Sequence, residues 1–318
     1  MNNLYFSINA TMPVFLVMVV GYVIKRFGMI NEEFLKVGNR LVFKVTLPAM
    51  LFIDMSESNI RKTFDGKYVF YCAFVTLTCI LVIWLLSKLL IKDKNQVGEF
   101  VQASYRGSAA ILGIALLQNI CGDAKMAPVM ILGSVPLYNI FAVTVLTLES
   151  PELKNESKGI ELYKKAFIGI CKNPIILSIF AGMLFSVLDI KLPGIIRNTT
   201  YKVGSITTPL ALIVIGGGFK GREAIKKVKL TVIATFIKLI LQPLIFLPVA
   251  VYMGFEAEKL VAALIMLGAP TTATSYVMAK NMGHEGTVSA SAVALTTFMS
   301  AFTVTFWVFV LKQYGLIG

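Results

Sequence analysis

The apolar stretch at residues 260–279 is interrupted near its middle by a helix breaker. Residues 268–275 read GAPTTATS, so a glycine and a proline are followed at once by small hydroxyl side chains. About 20 apolar residues match the hydrocarbon thickness of a bilayer, which places Pro270 near the midplane. Because proline lacks a backbone N–H and bulk water is absent at that depth, irregular backbone survives there only inside protein or beside a wet cavity. The break therefore predicts a binding site.

The composition excludes a soluble domain. Apolar residues make up 57% of the 318 residues and charged residues 15%, and the mean hydropathy is +0.78, whereas soluble domains carry about 25% charged residues. We therefore predict an all-α membrane protein with ten transmembrane helices. The predicted spans are 5–24, 35–53, 68–90, 99–121, 126–148, 166–188, 201–219, 229–252, 259–280 and 287–312.

A highly charged segment divides the predicted spans into five and five. It predicts a first repeat at 1–148, a cytoplasmic linker at 149–165 and a second repeat at 166–318. An odd number of spans per half requires the halves to insert with opposite orientation. The second and seventh spans each carry Lys-Val-Gly followed by a proline, Pro48 or Pro209. We predict two inverted five-helix repeats in which the fourth and ninth helices are broken.

The net charge of +13 follows the loops. One set of loops carries most of the lysine and arginine, which predicts a multi-pass protein of the cell membrane with both termini outside. This bilayer partner accounts for the charge without a nucleic acid. For the basic cluster at 220–229, contact with anionic lipid headgroups is an alternative interpretation.

Titratable groups within the membrane are scarce in the sequence. All acidic residues, Asp54 included, fall in loops or at span ends, so no membrane carboxylate is expected. The single histidine, His284, is expected in a solvated connection. The four cysteines show no metal or redox spacing, so we predict no metal and no cofactor. Without a membrane Asp pair or a Ser-His pair, an enzyme is not expected.

Basic side chains do enter the predicted spans. Arg106, Lys238 and Lys44 are candidates for a charge that binds substrate or gates its passage. The alternative is snorkelling, in which a long side chain carries its charge to the interface. An unpaired cation that faces a central cavity favours an anion there.

The break itself offers neutral donors. After Pro270, the free amides of residues 271–274 form the positive end of a half-helix, which suits a carboxylate. The alternative for the hydroxyls is bonding back to helix carbonyls. Asn139 is expected either to line the cavity or to bond between helices.

Short motifs are spread along the whole chain. They are MPVFL at 12–16, GYVIKR at 21–26, LVF at 41–43, LPAMLF at 47–52, RGS at 106–108 with Gly113, YN at 138–139, and GAP at 268–270 with VMA at 277–279. In this order they resemble the auxin efflux carrier family of permeases. The resemblance implies broken fourth and ninth helices that cross at the bilayer centre, as in the bile acid, arsenite and riboflavin transporter superfamily. It also implies a scaffold that includes the second and seventh spans, with Pro48 and Pro209, and that often forms a homodimer.

The chain departs from that family pattern at two positions. Ser108 stands where many relatives carry Asn, and Ala115 stands where many carry Pro. The predicted substrate-binding residues at the two breaks and beside them are Ser108, Gly113, Ile114, Ala115, Asn139, Pro270, Thr271, Thr272, Thr274 and Ser275.

These features together predict a secondary carrier for a small organic anion, a carboxylate, since microbial relatives in the resembled family are associated with such acids. It would work by an elevator or rocking form of alternating access. A sodium- or proton-coupled symporter of another small solute, or a channel or ligand sensor on the same fold, stays open as an alternative.

Overall fold

The computed structural model describes residues 2–57, 65–108, 117–118, 120–121, 124–156 and 159–317. These residues are mostly helical. In chain order the helices are α1 (Asn2–Arg26), α2 (Glu32–Leu41), α3 (Leu47–Ser56), α4 (Gly66–Leu90), α5 (Val97–Tyr105), α6 (Met126–Leu148), α7 (Pro151–Glu156), α8 (Gly159–Cys171), α9 (Pro174–Val187), α10 (Gly194–Ser205), α11 (Thr207–Gly218), α12 (Gly221–Lys226), α13 (Val228–Phe236), α14 (Gln242–Tyr252), α15 (Ala257–Gly268), α16 (Thr274–Asn281) and α17 (Thr287–Gln313).

Several of the described helices are compatible with a bilayer. Four are long and apolar enough to cross it by themselves: α4, α6, α17 and the continuous helix Val228–Tyr252, which contains α13 and α14. Helices α8 and α9, bent by 51° at a short break, make a fifth if they form one span. No strand occurs among the described residues. The ten spans and the inverted repeat stay predictions.

Two of the continuous helices contain a wide turn just before a proline. The π-helical turn Val42–Thr46 joins α2 to α3, and Ile237–Leu241 joins α13 to α14. In each, the residue before the proline donates its N–H to the carbonyl five residues earlier. Pro48 and Pro243 follow directly, and because they lack an N–H the wider turn absorbs the interruption without ending the helix.

Helix α1 packs on α11 at very short range. A Cβ added to Gly216 would lie 1.9 Å from the Met18 carbonyl oxygen, and one added to Gly21 would lie 2.4 Å from the Ile213 oxygen. Small residues allow this approach of two backbones, which is how helices pack in a bilayer without a hydrophobic driving force between them.

Buried apolar side chains form two clusters. One joins α4 and α5 to α13, α14 and α15. The other joins α1, α2 and α3 to α9, α11 and α16. Helices α6 and α17 contribute to both, so they connect the two parts of the core.

The turn between α16 and α17 is buried, so the expectation of a solvated His284 is wrong. The His284 side chain is only 4% exposed, and its Nε2 lies 2.9 Å from the Leu146 carbonyl oxygen. The Glu99 carboxylate accepts hydrogen bonds from the N–H groups of Gly286 and Ser289 at the start of α17. Contacts from distant parts of the chain therefore hold this connection inside the protein.

Candidate functional site

Two extended segments pair with each other where helices α5 and α15 end, and we call this pairing of residues 107–108 with 270–271 the crossing. Helix α5 ends at Tyr105, and Arg106 has extended dihedral angles. The amide of Ser108 donates to the Pro270 carbonyl over 2.8 Å, and Gly107 forms an isolated antiparallel bridge with Thr271. Backbone groups that no helix uses thus form hydrogen bonds between the two segments, as buried backbone groups require.

Two side chains from other helices donate hydrogen bonds to the carbonyl end of α15, Lys238 from the helix Val228–Tyr252 and Tyr138 from α6. The Lys238 side chain is fully buried, and its Nζ donates to the carbonyls of Met266 over 3.1 Å and Leu267 over 2.7 Å. The Tyr138 hydroxyl also donates to Met266. A cation at the negative end of a helix is stabilised by the helix dipole. Lys238 therefore serves the crossing and does not line the cavity.

The carbonyl end of α5 receives donors in the same way. Gln242 Nε2 donates to the Ser104 carbonyl over 2.6 Å. The Thr271 hydroxyl donates to the Ala103 carbonyl over 2.8 Å, and the Thr271 amide donates to Thr296 Oγ1. Both the amide and the hydroxyl of Thr271 are thus used within the protein.

A small cavity of about 50 Å³ lies beside the crossing. Its walls come from α3, α6, α11, the Arg106 segment and the start of α16. The lining residues are Leu47, Met50, Leu51, Asp54, Arg106, Gly107, Ser108, Val135, Tyr138, Asn139, Thr208, Thr272 and Thr274.

Arg106 is the cation of this cavity. Its side chain is 3% exposed. Its Nη2 donates to Asn139 Oδ1 over 2.5 Å, and its Nη1 donates to Gln102 Oε1 over 3.2 Å and contacts the Met278 sulfur. In the described part of the chain no carboxylate lies within ion-pair distance of it. An arginine held by neutral acceptors keeps its positive charge available to a ligand.

Asp54 lines the same cavity from α3. It lies two residues before the end of α3, so its position near a span end agrees with the sequence, and its contact with the cavity is the new observation. The spacing of Leu47, Met50, Leu51 and Asp54 at helical intervals is the signal that places all four on one face.

The predicted binding residues divide into three groups. Ser108, Asn139, Thr272 and Thr274 line the cavity. Pro270, Thr271 and Ser275 are buried at the crossing or in α16 but are not lining residues. Gly113, Ile114 and Ala115 lie outside the described residues, and α5 ends well before them, at Tyr105.

The remaining candidates, Lys44, Pro48 and Pro209, are not among the residues that line the cavity. Lys44 lies in the turn Val42–Thr46 with an exposed side chain, away from the cavity lining. Pro48 is the second residue of α3, next to the lining residue Leu47. Pro209 follows the lining residue Thr208 in α11. The two prolines thus flank cavity walls, whereas Lys44 does not.

Comparison with known families matches residues 6–308 to a family described as "Membrane transport protein". The chain belongs to this family. It is the auxin efflux carrier family, so the resemblance read from the motifs is confirmed. Within the membrane transport protein family, the chain is 22% identical over 314 residues to the "Uncharacterized transporter YfdV" of Escherichia coli strain K12, covering 96% of this chain and 98% of the relative. It is 21% identical over 308 residues to the "Uncharacterized transporter MJ1031" of Methanocaldococcus jannaschii, covering 94% and 96%.

Membership in this family of membrane transporters agrees with the several membrane-compatible helices of the structure. The relatives are named as transporters, which is consistent with a protein that is not an enzyme.

Proposed function

We propose that this protein is a secondary carrier that moves a small organic anion, a carboxylate, through the cavity at the crossing. The observation that carries the proposal is Arg106, a buried arginine that lines the cavity and is held by neutral oxygens. A charged group taken out of water is costly unless it is paired or functional. A substrate carboxylate would supply the missing partner through charge-assisted hydrogen bonds.

The start of α16 supports the same charge preference. Thr272 and Thr274 line the cavity there. The N-terminal end of a helix carries a partial positive charge, which favours an anion. The two hydroxyls, whose oxygens lie 3.2 Å apart, add neutral donors without a fixed negative charge.

The size of the cavity supports alternating access. About 50 Å³ is room for only a few waters, since a cavity needs roughly 10–15 Å³ to hold one. A carboxylate of several carbons enters only if the walls from α3 and α11 separate from the crossing. Such a displacement is the elevator or rocking movement of a carrier, whereas a channel would hold a continuous pore. The homodimer and the outward termini stay predictions attached to this proposal.

Counterflow in proteoliposomes tests the proposal. Vesicles preloaded with malate, malonate or succinate should take up the labelled acid against its gradient and should saturate. Arg106→Ala removes a charge-assisted bond worth about 1.5–3 kcal/mol, so we expect at least tenfold slower counterflow or weaker affinity. Arg222→Ala, at an exposed arginine outside the cavity, should leave both unchanged.

Two results would overturn this assignment. A linear flux without counterflow would indicate a channel. Undiminished counterflow in Arg106→Ala, with the thermal unfolding midpoint of the variant unchanged, would remove the arginine from substrate binding.

Asp54 favours a proton-coupled form of the same carrier as the second candidate. A carboxylate that faces the same cavity as the bound anion repels it unless the carboxylate takes up a proton. We expect an imposed proton gradient to drive uptake in the native protein and to have no effect in Asp54→Asn, which would still exchange substrate. Uptake that follows only the membrane potential in both proteins would exclude this coupling. Drive by a sodium gradient instead would point to a sodium-coupled symporter.

A further inference from the structure

A second, larger cavity opens where α2 begins and α16 ends. It holds about 550 Å³ and lies between α2, α11, α12, α16 and α17. We call it the vestibule. It shares no lining residue with the cavity at the crossing. If the predicted orientation holds, this face is cytoplasmic.

The carboxylates of the vestibule are neutralised from outside it. Three glutamates are among its lining residues, and each forms an ion pair with a lysine that is not. The pairs are Glu32 with Lys25, Glu223 with Lys226, and Glu285 with Lys227. The acidic side chains therefore contribute little negative charge to the vestibule.

The cations of the vestibule have no such partners. Lys36, Arg40, Lys220 and Lys280 line it with exposed side chains. None of these four side chains forms a hydrogen bond or an ion pair with the residues that the structure describes. The attraction of Lys36 and Lys220 to Glu32 acts only from beyond ion-pair distance. A cavity lined by cations in excess concentrates anions from solution.

The inner wall of the vestibule holds buried polar atoms without partners. Asn39 and Ser291 are each 8% exposed, and Asn39 Oδ1 and Ser291 Oγ make no hydrogen bond within the described chain. The Tyr276 side chain, also 8% exposed, lines the same wall. A buried hydroxyl left without a partner costs about 1–3 kcal/mol, so an anion whose oxygen accepts from Ser291 is stabilised there, whereas Asn39 Oδ1 can only accept a hydrogen bond.

We propose that the vestibule binds an anion with two or more negative charges and several oxygen acceptors, such as a tricarboxylate or a phosphate group. The cations hold its charge at the rim, while the hydroxyls of Ser291 and Tyr276 donate to its oxygens. The binding does not depend on the transport proposal, because the two cavities share no residue. A free anion and a lipid headgroup phosphate present the same chemistry, and the experiment separates them.

Calorimetric titration of the purified protein in a neutral detergent, with citrate, inorganic phosphate and acetate as probes at constant ionic strength, tests this site. We expect citrate or phosphate to bind at least tenfold more tightly than acetate. Lys36→Gln with Lys280→Gln should weaken that binding at least tenfold. The matched pair Lys92→Gln with Lys164→Gln removes two exposed lysines elsewhere and should change nothing.

Further variants separate this site from a folding defect and from the crossing. Lys36→Arg with Lys280→Arg should retain binding, and Arg106→Ala should leave it unchanged even where it abolishes counterflow. The proposal would be overturned if the variant with Lys36→Gln and Lys280→Gln bound citrate as tightly as the variant with Lys92→Gln and Lys164→Gln. Equal affinities of the native protein for citrate and acetate would also overturn it.

Nanodiscs distinguish the source of the anion. If the ligand is a soluble anion, citrate should bind equally in phosphatidylcholine and in phosphatidylglycerol nanodiscs. If phosphatidylglycerol instead weakens citrate binding in the native protein, and this effect is absent from the variant with Lys36→Gln and Lys280→Gln, the headgroup phosphate is the ligand of the same site.

Discussion

Lys238 and Gln242 lie one helical turn apart, and each donates a hydrogen bond to the carbonyl end of a different helix. The Lys238 ammonium donates to α15 at Leu267 over 2.7 Å, and the Gln242 amide donates to α5 at Ser104 over 2.6 Å. Lys238 lies in the wide turn Ile237–Leu241, and Gln242 follows it directly. The one helix Val228–Tyr252 thus donates hydrogen bonds to free carbonyls at the ends of both α5 and α15. These bonds replace the water that irregular backbone would otherwise need.

Replacement of Lys238 by methionine tests this support. Lys238→Met keeps most of the side-chain volume but leaves two buried carbonyls with fewer donors, so we expect a loss of about 1–3 kcal/mol in stability. The thermal unfolding midpoint in detergent should fall. Lys229→Met, at an exposed position of the same helix, should not lower it. Equal midpoints for the two variants would show that Lys238 does not stabilise the crossing.

The threonines of the break should separate into structural and ligand-binding positions. Thr271→Val removes the hydrogen bond to Ala103 and should cost about 1 kcal/mol of stability. Thr274→Val, at a cavity-lining residue, should leave the unfolding midpoint near that of the native protein and weaken carboxylate binding several-fold. Titration calorimetry and thermal unfolding measure the two effects. The opposite assignment of effects would contradict the geometry of the break.

Gly216→Ala should disrupt the contact between α1 and α11. The added Cβ would meet the Met18 carbonyl oxygen at 1.9 Å, so the helices must separate, at a cost of about 1–3 kcal/mol or more. Gly221→Ala is the control, since its Cβ meets nothing within 4 Å. Size-exclusion profiles and unfolding midpoints should change for the first variant only. A native-like Gly216→Ala protein would show that the two helices do not pack this closely.

Asp65 should make the stability depend on acid pH. A hydrogen bond from Lys259, helped by the Tyr68 amide at the start of α4, lowers the pKa of Asp65 below its ordinary value. A carboxylate with a depressed pKa stabilises the fold above its unfolded pKa of about 3.9, and this contribution is lost as pH falls through the lower folded pKa.

The variant Asp65→Asn keeps a helix-capping side chain but removes the charge. Its unfolding midpoint should be lower than that of the native protein at pH 6, and the difference should shrink as the pH falls below about 4. Lys259→Met should give the same pattern. A difference that is constant across this range would exclude the ion pair as its cause.

The break at Pro270 could be predicted because its signal is local. At Pro270 the missing donor coincides with Gly268 and with the hydroxyl side chain of Thr271, whereas helices continue through the prolines of α3 and α14. The end of α5 at Tyr105 has no comparable signal, since its carbonyls are satisfied by Gln242 and Thr271, which are far away in sequence. The predicted break at Gly113 lies outside the described residues and stays a prediction.

The positions of Asp54 and His284 depend on long-range packing in the same way. Asp54 reaches the cavity on a helix that continues through a wide turn before Pro48, and the burial of His284 depends on the Leu146 carbonyl. Residue type and hydropathy place such groups near span ends without indicating which way they face. Thr272, Thr274 and Asn139 were easier to predict, because polar side chains beside a break have few other roles in an apolar span.

The position of a bound anion tests the central claim most directly. Crystals of the protein grown with a brominated dicarboxylate that supports counterflow, measured at the bromine absorption edge, would locate the ligand. We expect an anomalous peak between Arg106 and the start of α16, near Thr272 and Thr274, and its loss in Arg106→Ala. A peak found only away from the crossing, while the native protein still transports the same acid, would contradict the account.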